Sequence, residues 1–245
     1  MKLSFVIPAY NEEKTIENCL ESILAEVDNL GLQKNVEVIV VDNASIDSTA
    51  SICAKFSEVK LIKESEKGPN FARARGFREA QGELVANIDA DNSLPSGWLE
   101  KVLAEFRSVD NLVGLSGPLV YREFNLGQNF FVKIFYYLGY IFYLLNNFLK
   151  LGSMVQGGNY VVKRSAFEKA GGHNTAINFY GDDSDISRRL IKFGKVKFTF
   201  DLPIYSSGRR LLAEGIIVMG IKYAINYFWI LYLRRPFSKR YNNYR

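Results

Sequence analysis

The sequence predicts an α/β protein: an open, mostly parallel sheet with helices on both faces. Three observations carry that expectation. Strand-length apolar runs recur through the first 120 residues. Segments with apolar residues at helical spacing separate them. The runs, above all "VEVIVV", are continuously apolar rather than alternating, as burial on both faces requires. Strand–helix–strand order with right-handed crossovers then gives the parallel sheet, and 245 residues suit one domain or one domain with an appendage.

Taken in order, "LSFVI" is the first strand. A helix follows from about Asn11, with Ile16, Leu20, Ile23, Leu24 and Val27 on one stripe. Asn11 is placed to cap it, Glu12 and Glu13 suit its positive end, and Gly31 ends it. "VEVIVV" is the second strand, and a helix from about Asp47 turns Thr49, Ile52, Cys53 and Phe56 inward. "VKLIK", a helix over "FARARGFREAQ", "ELVANI", a helix near Ser96 and "LVGLSG" continue the series.

The second half changes character. "FFVKIFYYLGYIFYLLNNFLKLG" is very apolar, but its uninterrupted core, Ile134 to Leu145, falls short of the ~20 residues a bilayer span needs. "EGIIVMGIKYAINYFWILYLRRP" carries Glu214 and Lys222. Both fit interfacial helices flanked by Lys, Arg, Tyr and Trp, with buried helices or a dimer contact as the alternative. Residues 1–205 are thus the expected catalytic domain, with an apolar insertion at about 130–151. Residues 206–245 are the expected membrane-associated helix and basic tail.

Net charge is +5, and the last residues, "RRPFSKRYNNYR", hold Arg234, Arg235, Lys239, Arg240 and Arg245 without an acid. Lying directly after an apolar segment, this tail points to an anionic membrane surface rather than nucleic acid, each basic residue adding roughly 1 kcal/mol there. No secretory signal precedes "LSFVIPAY", so the expected location is cytoplasmic, peripheral on the inner face of the membrane. Cys19 and Cys53 fall on helix stripes without metal-type spacing and are expected to be reduced core thiols. The one histidine, His173, is expected in a surface loop and cannot form a histidine metal cluster.

Ligands of an open α/β sheet bind outside the carboxyl ends of its strands. There the chain places "PAYNEE", "DNASIDST" and "DADN". Asp89 and Asp91, two apart on a strand end, point the same way and repel. A divalent cation is expected to offset that repulsion, and hard oxygen ligands suit Mg²⁺ or Mn²⁺ shared with a diphosphate. No G-x-G-x-x-G follows the first strand and no G-x-x-x-x-G-K-[ST] occurs, so dinucleotide dehydrogenases and P-loop NTPases are excluded.

With "FVIPAYNEEKTIENCLESI", "VIVVDNASIDSTASI", "KGPNFARARGFREAQGELVANIDADN", "GGNYVVKRSAFEKAGG" and "YGDDSDISRRLIKFGK" in this order, the chain resembles the family 2 glycosyltransferases over about residues 3 to 200. The resemblance implies a GT-A fold, a nucleotide-diphosphate sugar donor of UDP or GDP type, a divalent metal and inversion at the anomeric carbon. It implies that Pro8, Ala9, Tyr10 and Glu12 hold base and ribose, that Asp42 reads the base and that Arg73 lies near the nucleotide. Ala74 stands where the family has Asn. Asp89 is implied as the ribose- or metal-side acid and Asp91 as the direct metal ligand.

The family's Glu-Asp pair is Asp182–Asp183 here, which makes Asp183 the implied base and leaves Asp182 as a shortened acceptor contact. Asp185 is expected to orient the helix start. Gly158 and Asn159, in "GGN", are implied to border donor sugar and acceptor. Arg209 and Arg210 are candidates to neutralise the departing diphosphate. The acceptor is expected to be a glycan or a lipid-linked molecule. The competing class is a non-catalytic sugar-nucleotide-binding subunit of a membrane polysaccharide complex, which would have no need of Asp183.

Overall fold

The computed structural model describes residues 1–177 and 179–238. Of the expected basic tail, Lys239, Arg240 and Arg245 therefore lie outside the described residues, while Arg234 and Arg235 follow the last helix, exposed. The first half runs β1 (Leu3–Ala9), α1 (Ile16–Asn29), β2 (Val36–Asp42), α2 (Thr49–Cys53), β3 (Val59–Lys63), α3 (Pro69–Glu79), β4 (Leu84–Ile88), α4 (Trp98–Ser108) and β5 (Leu112–Ser116). Then come β6 (Leu119–Tyr121), α5 (Leu126–Phe148), β7 (Asn159–Lys163), α6 (Arg164–Lys169), α7 (Asp182–Leu190), β8 (Lys195–Phe198), β9 (Ile204–Ser206), α8 (Arg209–Glu214) and α9 (Ile216–Leu233).

Seven strands form one mixed sheet in the order β3-β2-β1-β4-β7-β5-β8. All its pairings are parallel except those of β7, which runs antiparallel to both β4 and β5. The order reverses at β1/β4, where open sheets bind ligands. A short parallel pair, β6 and β9, stands apart from it.

Strand periodicity divides the core into two layers. Leu3, Phe5 and Ile7 of β1 point to one face with Val38, Val40, Leu84 and Ala86, packed under α1 and α4. Val6, Ile39, Val41 and Val85 point to the other, under α3, α6 and α7. Because both faces are covered, every residue of β1 and β4 is buried, which explains the continuous apolar runs.

Local chemistry shifts some boundaries from their expected places. Asn11 is not the cap of α1. It sits at φ +52°, and its Oδ1 accepts from the Ile46 N–H at 2.9 Å, so a turn through Thr15 intervenes and α1 starts at Ile16. Gly31, at φ +63°, does end that helix. The helix near Ser96 starts at Trp98 behind Gly97, which occupies the left-handed region. Cys19 and Cys53 are buried and unbridged. His173 is not simply in a surface loop: its ring packs edge-on to Phe167 and Phe77, with centroids 5.0 and 6.3 Å away.

Both apolar segments are long helices. α5 spans 23 residues behind a reciprocal Asn125–Gln128 cap. Among the described residues, α9 is the one helix long and apolar enough to cross a membrane, with 22% of its 18-residue window buried. The two helices pack together through the Phe142–Phe228 ring pair, 5.1 Å apart, and a 3.4 Å hydrogen bond from Tyr232 to Asn146. Their outer faces expose Tyr137, Ile141, Leu145, Ile217, Val218 and Ile221.

Close approach of α3 to the sheet needs Gly76, since a Cβ there would meet Val6 Cγ1 at 2.3 Å. Gly76→Ala should therefore overpack the β1–α3 interface and destabilise the fold by about 1–3 kcal/mol. The check is a lower urea midpoint with an unchanged slope.

Candidate active site

The carboxyl ends of β1, β2 and β4 converge on a cavity of about 660 Å³. Its polar end is lined by Pro8, Ala9, Tyr10, Asn43, Lys67, Arg73, Asp89, Asp91, Asp182, Asp183, Arg209 and Arg210. Most of the residues singled out in the sequence thus come together, though over a hundred positions separate Tyr10 from Asp183.

Arg73 projects from α3 and is 5% exposed. Its Nη2 donates to Asp89 Oδ1 at 2.8 Å and its Nη1 to Asp182 Oδ2 at 2.9 Å. One guanidinium therefore joins the end of β4 to the start of α7. Burial opposes its charge, but Asp89 and Asp182 outweigh burial and hold it protonated. Asp182, expected at the acceptor, has this arginine as its partner. Asp89 is further fixed by Gly158, at φ +78°, where a Cβ would come within 2.5 Å of Asp89 Oδ2.

The second acid of the pair has its own arginine. Arg209 Nη2 donates to Asp91 Oδ2 at 3.1 Å and also to Glu12 Oε1. Glu12 is 2% exposed, accepts from the Thr15 hydroxyl at 2.9 Å, and its N–H donates to Thr49 Oγ1 at 2.8 Å. Glu12 therefore lies behind Arg209 rather than on the cavity wall. The repulsion between Asp89 and Asp91, for which the sequence suggested only a cation, is met within the fold by these two arginines.

Asp183 stands in the first turn of α7 beside Asp182 and Asp185. Its Oδ1 accepts from the Ser184 N–H at 2.6 Å and from the Ser184 hydroxyl at 3.2 Å. Burial lifts its carboxyl above the usual range, with Ser184 and the Gly157 N–H acting the other way. Burial also raises Asp182, to about 7, against the pull of Arg73. Asp185 serves the helix: it pairs with Arg188 and Arg189 at 2.9 and 2.8 Å.

Three of the expected residues lie outside the cavity lining. Asn159 does not border the cavity: it is fully buried, and its amide donates to Pro118 O and Leu202 O at 3.2 and 2.9 Å. Gly158 backs Asp89 instead of lining the cavity. Asp42 is buried at the end of β2, where its Oδ1 accepts from the Ser45 N–H at 3.2 Å, and its neighbour Asn43 reaches the wall.

The sequence motifs did not single out Asn43. Its Nδ2 donates to Glu64 O and Glu66 O, and its Oδ1 accepts from the Gly68 N–H at 2.7 Å, so it pins the loop that carries Lys67. Lys67 Nζ lies 5.6 Å from the Tyr10 ring centre. The Arg210 guanidinium stacks 4.0 Å from the centre of the Phe179 ring. Also unforeseen is the other end of the cavity, where α5 and α9 supply Phe135, Leu138, Gly139, Phe142, Ala224 and Phe228. "DNAS" carried a faint signal for Asn43; nothing in the apolar runs marked which residues would turn inward.

The chemistry of the donor set fits a hard divalent cation at Asp89 and Asp91. No third Asp, Glu, His or Cys joins them in a cluster among the described residues. Ligand diphosphate oxygens and water would complete such a shell, which is how Mg²⁺ sites with one or two carboxylates are built.

The chain is similar to known proteins in sequence and in fold. A "Glycosyltransferase GlyA" of Streptococcus pneumoniae is 30% identical over 149 residues, 58% of this chain and 20% of that protein. The "Dolichol-phosphate mannosyltransferase" of Pyrococcus furiosus is 35% identical over 112 residues, 44% of this chain and 31% of that protein. The matched region is thus a third or less of either relative. In fold, the chain superposes on a Pyrobaculum calidifontis mannosyltransferase solved with GDP-mannose and Mn²⁺, with a TM-score of 0.72 and 21% identity. That match covers 96% of this chain and 64% of the other. Residues 4–171 match the family described as Glycosyl transferase family 2, and the chain belongs to it.

Proposed function

We propose that the protein transfers a sugar, with inversion, from a nucleotide-diphosphate donor to an acceptor hydroxyl or phosphate at the cytoplasmic face of a membrane. The observation that carries this reading is the meeting of Asp89, Asp91 and Asp183 in one cavity with Arg73, Arg209 and Arg210. A binding subunit needs acids and arginines for the donor; it has no use for a half-buried carboxylate on a separate helix.

In this reading Tyr10, with Lys67 beside it, and the Asp42–Asn43 strand end flank the nucleotide. Asp89 and Asp91 hold Mg²⁺ or Mn²⁺, which when bound neutralises diphosphate charge and makes it a better leaving group. Arg209 and Arg210 add positive charge where the leaving group accumulates negative charge. Asp183 takes the proton from an acceptor hydroxyl, or the remaining proton of a monoanionic phosphate acceptor, as the acceptor oxygen attacks the anomeric carbon. Its raised pKa suits this task, because a carboxylate that holds its proton more tightly is a stronger base. Asp182, held by Arg73, keeps the start of α7 in register with the donor site.

The exposed apolar faces of α5 and α9, with Arg234 and Arg235 just after α9, support seating on an anionic bilayer surface. The likeness to a dolichol-phosphate mannosyltransferase supports a lipid-linked acceptor.

Asp183→Asn should lower transfer by about 10²–10⁴-fold, measured as sugar incorporation at saturating donor. The same change should raise the melting temperature at pH 8, since a carboxyl whose folded pKa lies above its unfolded value destabilises the fold once ionised. Full activity in this variant would remove the base assignment. In the wild type, that linkage makes the combined contribution of Asp182 and Asp183 to stability fall as pH rises from the unfolded value of about 3.8 toward about 7. Arg73→Leu should cost about 3 kcal/mol in urea unfolding, the low end for a broken buried pair because Asp89 stays partly hydrated. A true donor at about 100 times its Kd, with Mn²⁺, should stabilise the protein by about 2.7 kcal/mol. Asp91→Asn should erase the part of that shift which depends on metal; an unchanged Mn²⁺ dependence would move the cation elsewhere.

A further inference from the structure

In the reading above the donor would fill only the polar end of the cavity, and the other end is lined by different chemistry. Phe135, Leu138, Gly139 and Phe142 of α5 face Ala224 and Phe228 of α9 across it. None of these six side chains carries a charge or a hydrogen-bonding group. Two of the nearby polar groups are already engaged: the Tyr136 hydroxyl bonds Leu119 N and Gln156 Oε1, and the Asn226 amide bonds Lys222 O and Ser238 Oγ. Beyond these, Tyr223 and Tyr227 offer their hydroxyls, too few partners for a soluble glycan, whose many polar groups would lose water on that side at a cost. A hydrocarbon chain loses nothing there and gains burial.

Two further features identify the occupant. The apolar end is continuous with the outside: Leu138 and Phe142 line the cavity yet remain 51% and 42% exposed, on the same helix as exposed Tyr137, Ile141 and Leu145. It is also continuous with the chemistry, because Arg210 and Asp183 border the same cavity. A chain lying between α5 and α9 would therefore bring an anionic head group to the end of the cavity that Arg210 lines.

Resting on the transferase reading above, we infer that the cleft between α5 and α9 seats the hydrocarbon tail of a lipid phosphate acceptor. The tail is admitted sideways, from the bilayer against which the two helices lie. Gly220 helps to shape this seat. A Cβ there would meet the Phe135 ring at 2.2 Å, so glycine lets α5 and α9 close at one end of the cleft.

The test uses farnesyl phosphate, dimethylallyl phosphate and inorganic phosphate as probes, below their aggregation concentrations, with binding read calorimetrically on the full chain. Farnesyl phosphate should bind at least about tenfold more tightly than dimethylallyl phosphate, since burial scales with added methylenes. Ala224→Trp, which fills the cleft from α9, and Leu138→Glu, which puts a charge on its α5 wall, should each remove most of that advantage. Both positions are exposed, so a melting temperature near that of wild type is expected and reports folding independently.

Equal affinity for the long and short phosphates overturns the inference. So does an undiminished chain-length effect in both folded variants. A second copy of the chain covering the cleft would give a dimer without chain-length dependence, and that result overturns the inference as well. Mn²⁺-dependent binding of a nucleotide sugar to the wild type, measured in parallel, separates the two readings. Its presence without chain dependence sinks only the tail seat, and its absence beside intact chain dependence sinks only the transferase assignment.

Discussion

The site depends on one buried guanidinium. Arg73 is held on α3, and α3 is held against β1 by the missing side chain of Gly76. From there it reaches Asp89 at the sheet and Asp182 at the head of α7. Remove its charge and two acids lose their partner in a low-dielectric setting, where an unmatched charge is costly. The same contact sets the spacing between the end of β4, where the donor is proposed to bind, and the helix that carries Asp183. A structural ion pair and the proposed catalytic geometry are thus one arrangement.

Much of this is legible in the chain. The α/β class follows from continuous apolar strands, and a sheet covered on both faces explains them. "DADN" lies at a strand end and "YGDDSD" at a helix start, where the fold class makes residues available for chemistry, while "ARARG" lies within α3. What was not legible has a common cause. Asn159, Gly158 and Glu12 sit beside motif residues but do not line the cavity, and a string of letters does not say which neighbour does. Charge balance is hidden in the same way. Asp89 and Asp91 read as a pair in need of an outside cation because Arg209 lies 118 residues from Asp91. Local spacing cannot reveal a partner at that separation.

The apolar segments pose a different difficulty. Hydrophobic content indicates that α5 and α9 avoid water, and does not distinguish membrane, core and ligand as alternatives. In the structure each helix has more than one apolar face in use. One packs on the partner helix, one remains exposed, and one walls the cavity beside the acids. An apolar surface that runs from the exposed faces of the two helices into the cavity is the feature on which the proposed tail seat rests.

Arg209 belongs to α8, beyond the last strand, yet its side chain ends on Glu12 and Asp91, far earlier in the chain. The segment after Ser206 is therefore no detachable anchor. Trimming it to obtain a better-behaved soluble enzyme would strip the front of the molecule of a cation and take away the arginine that Glu12 and Asp91 share. Any shortening of the chain there must first replace that charge.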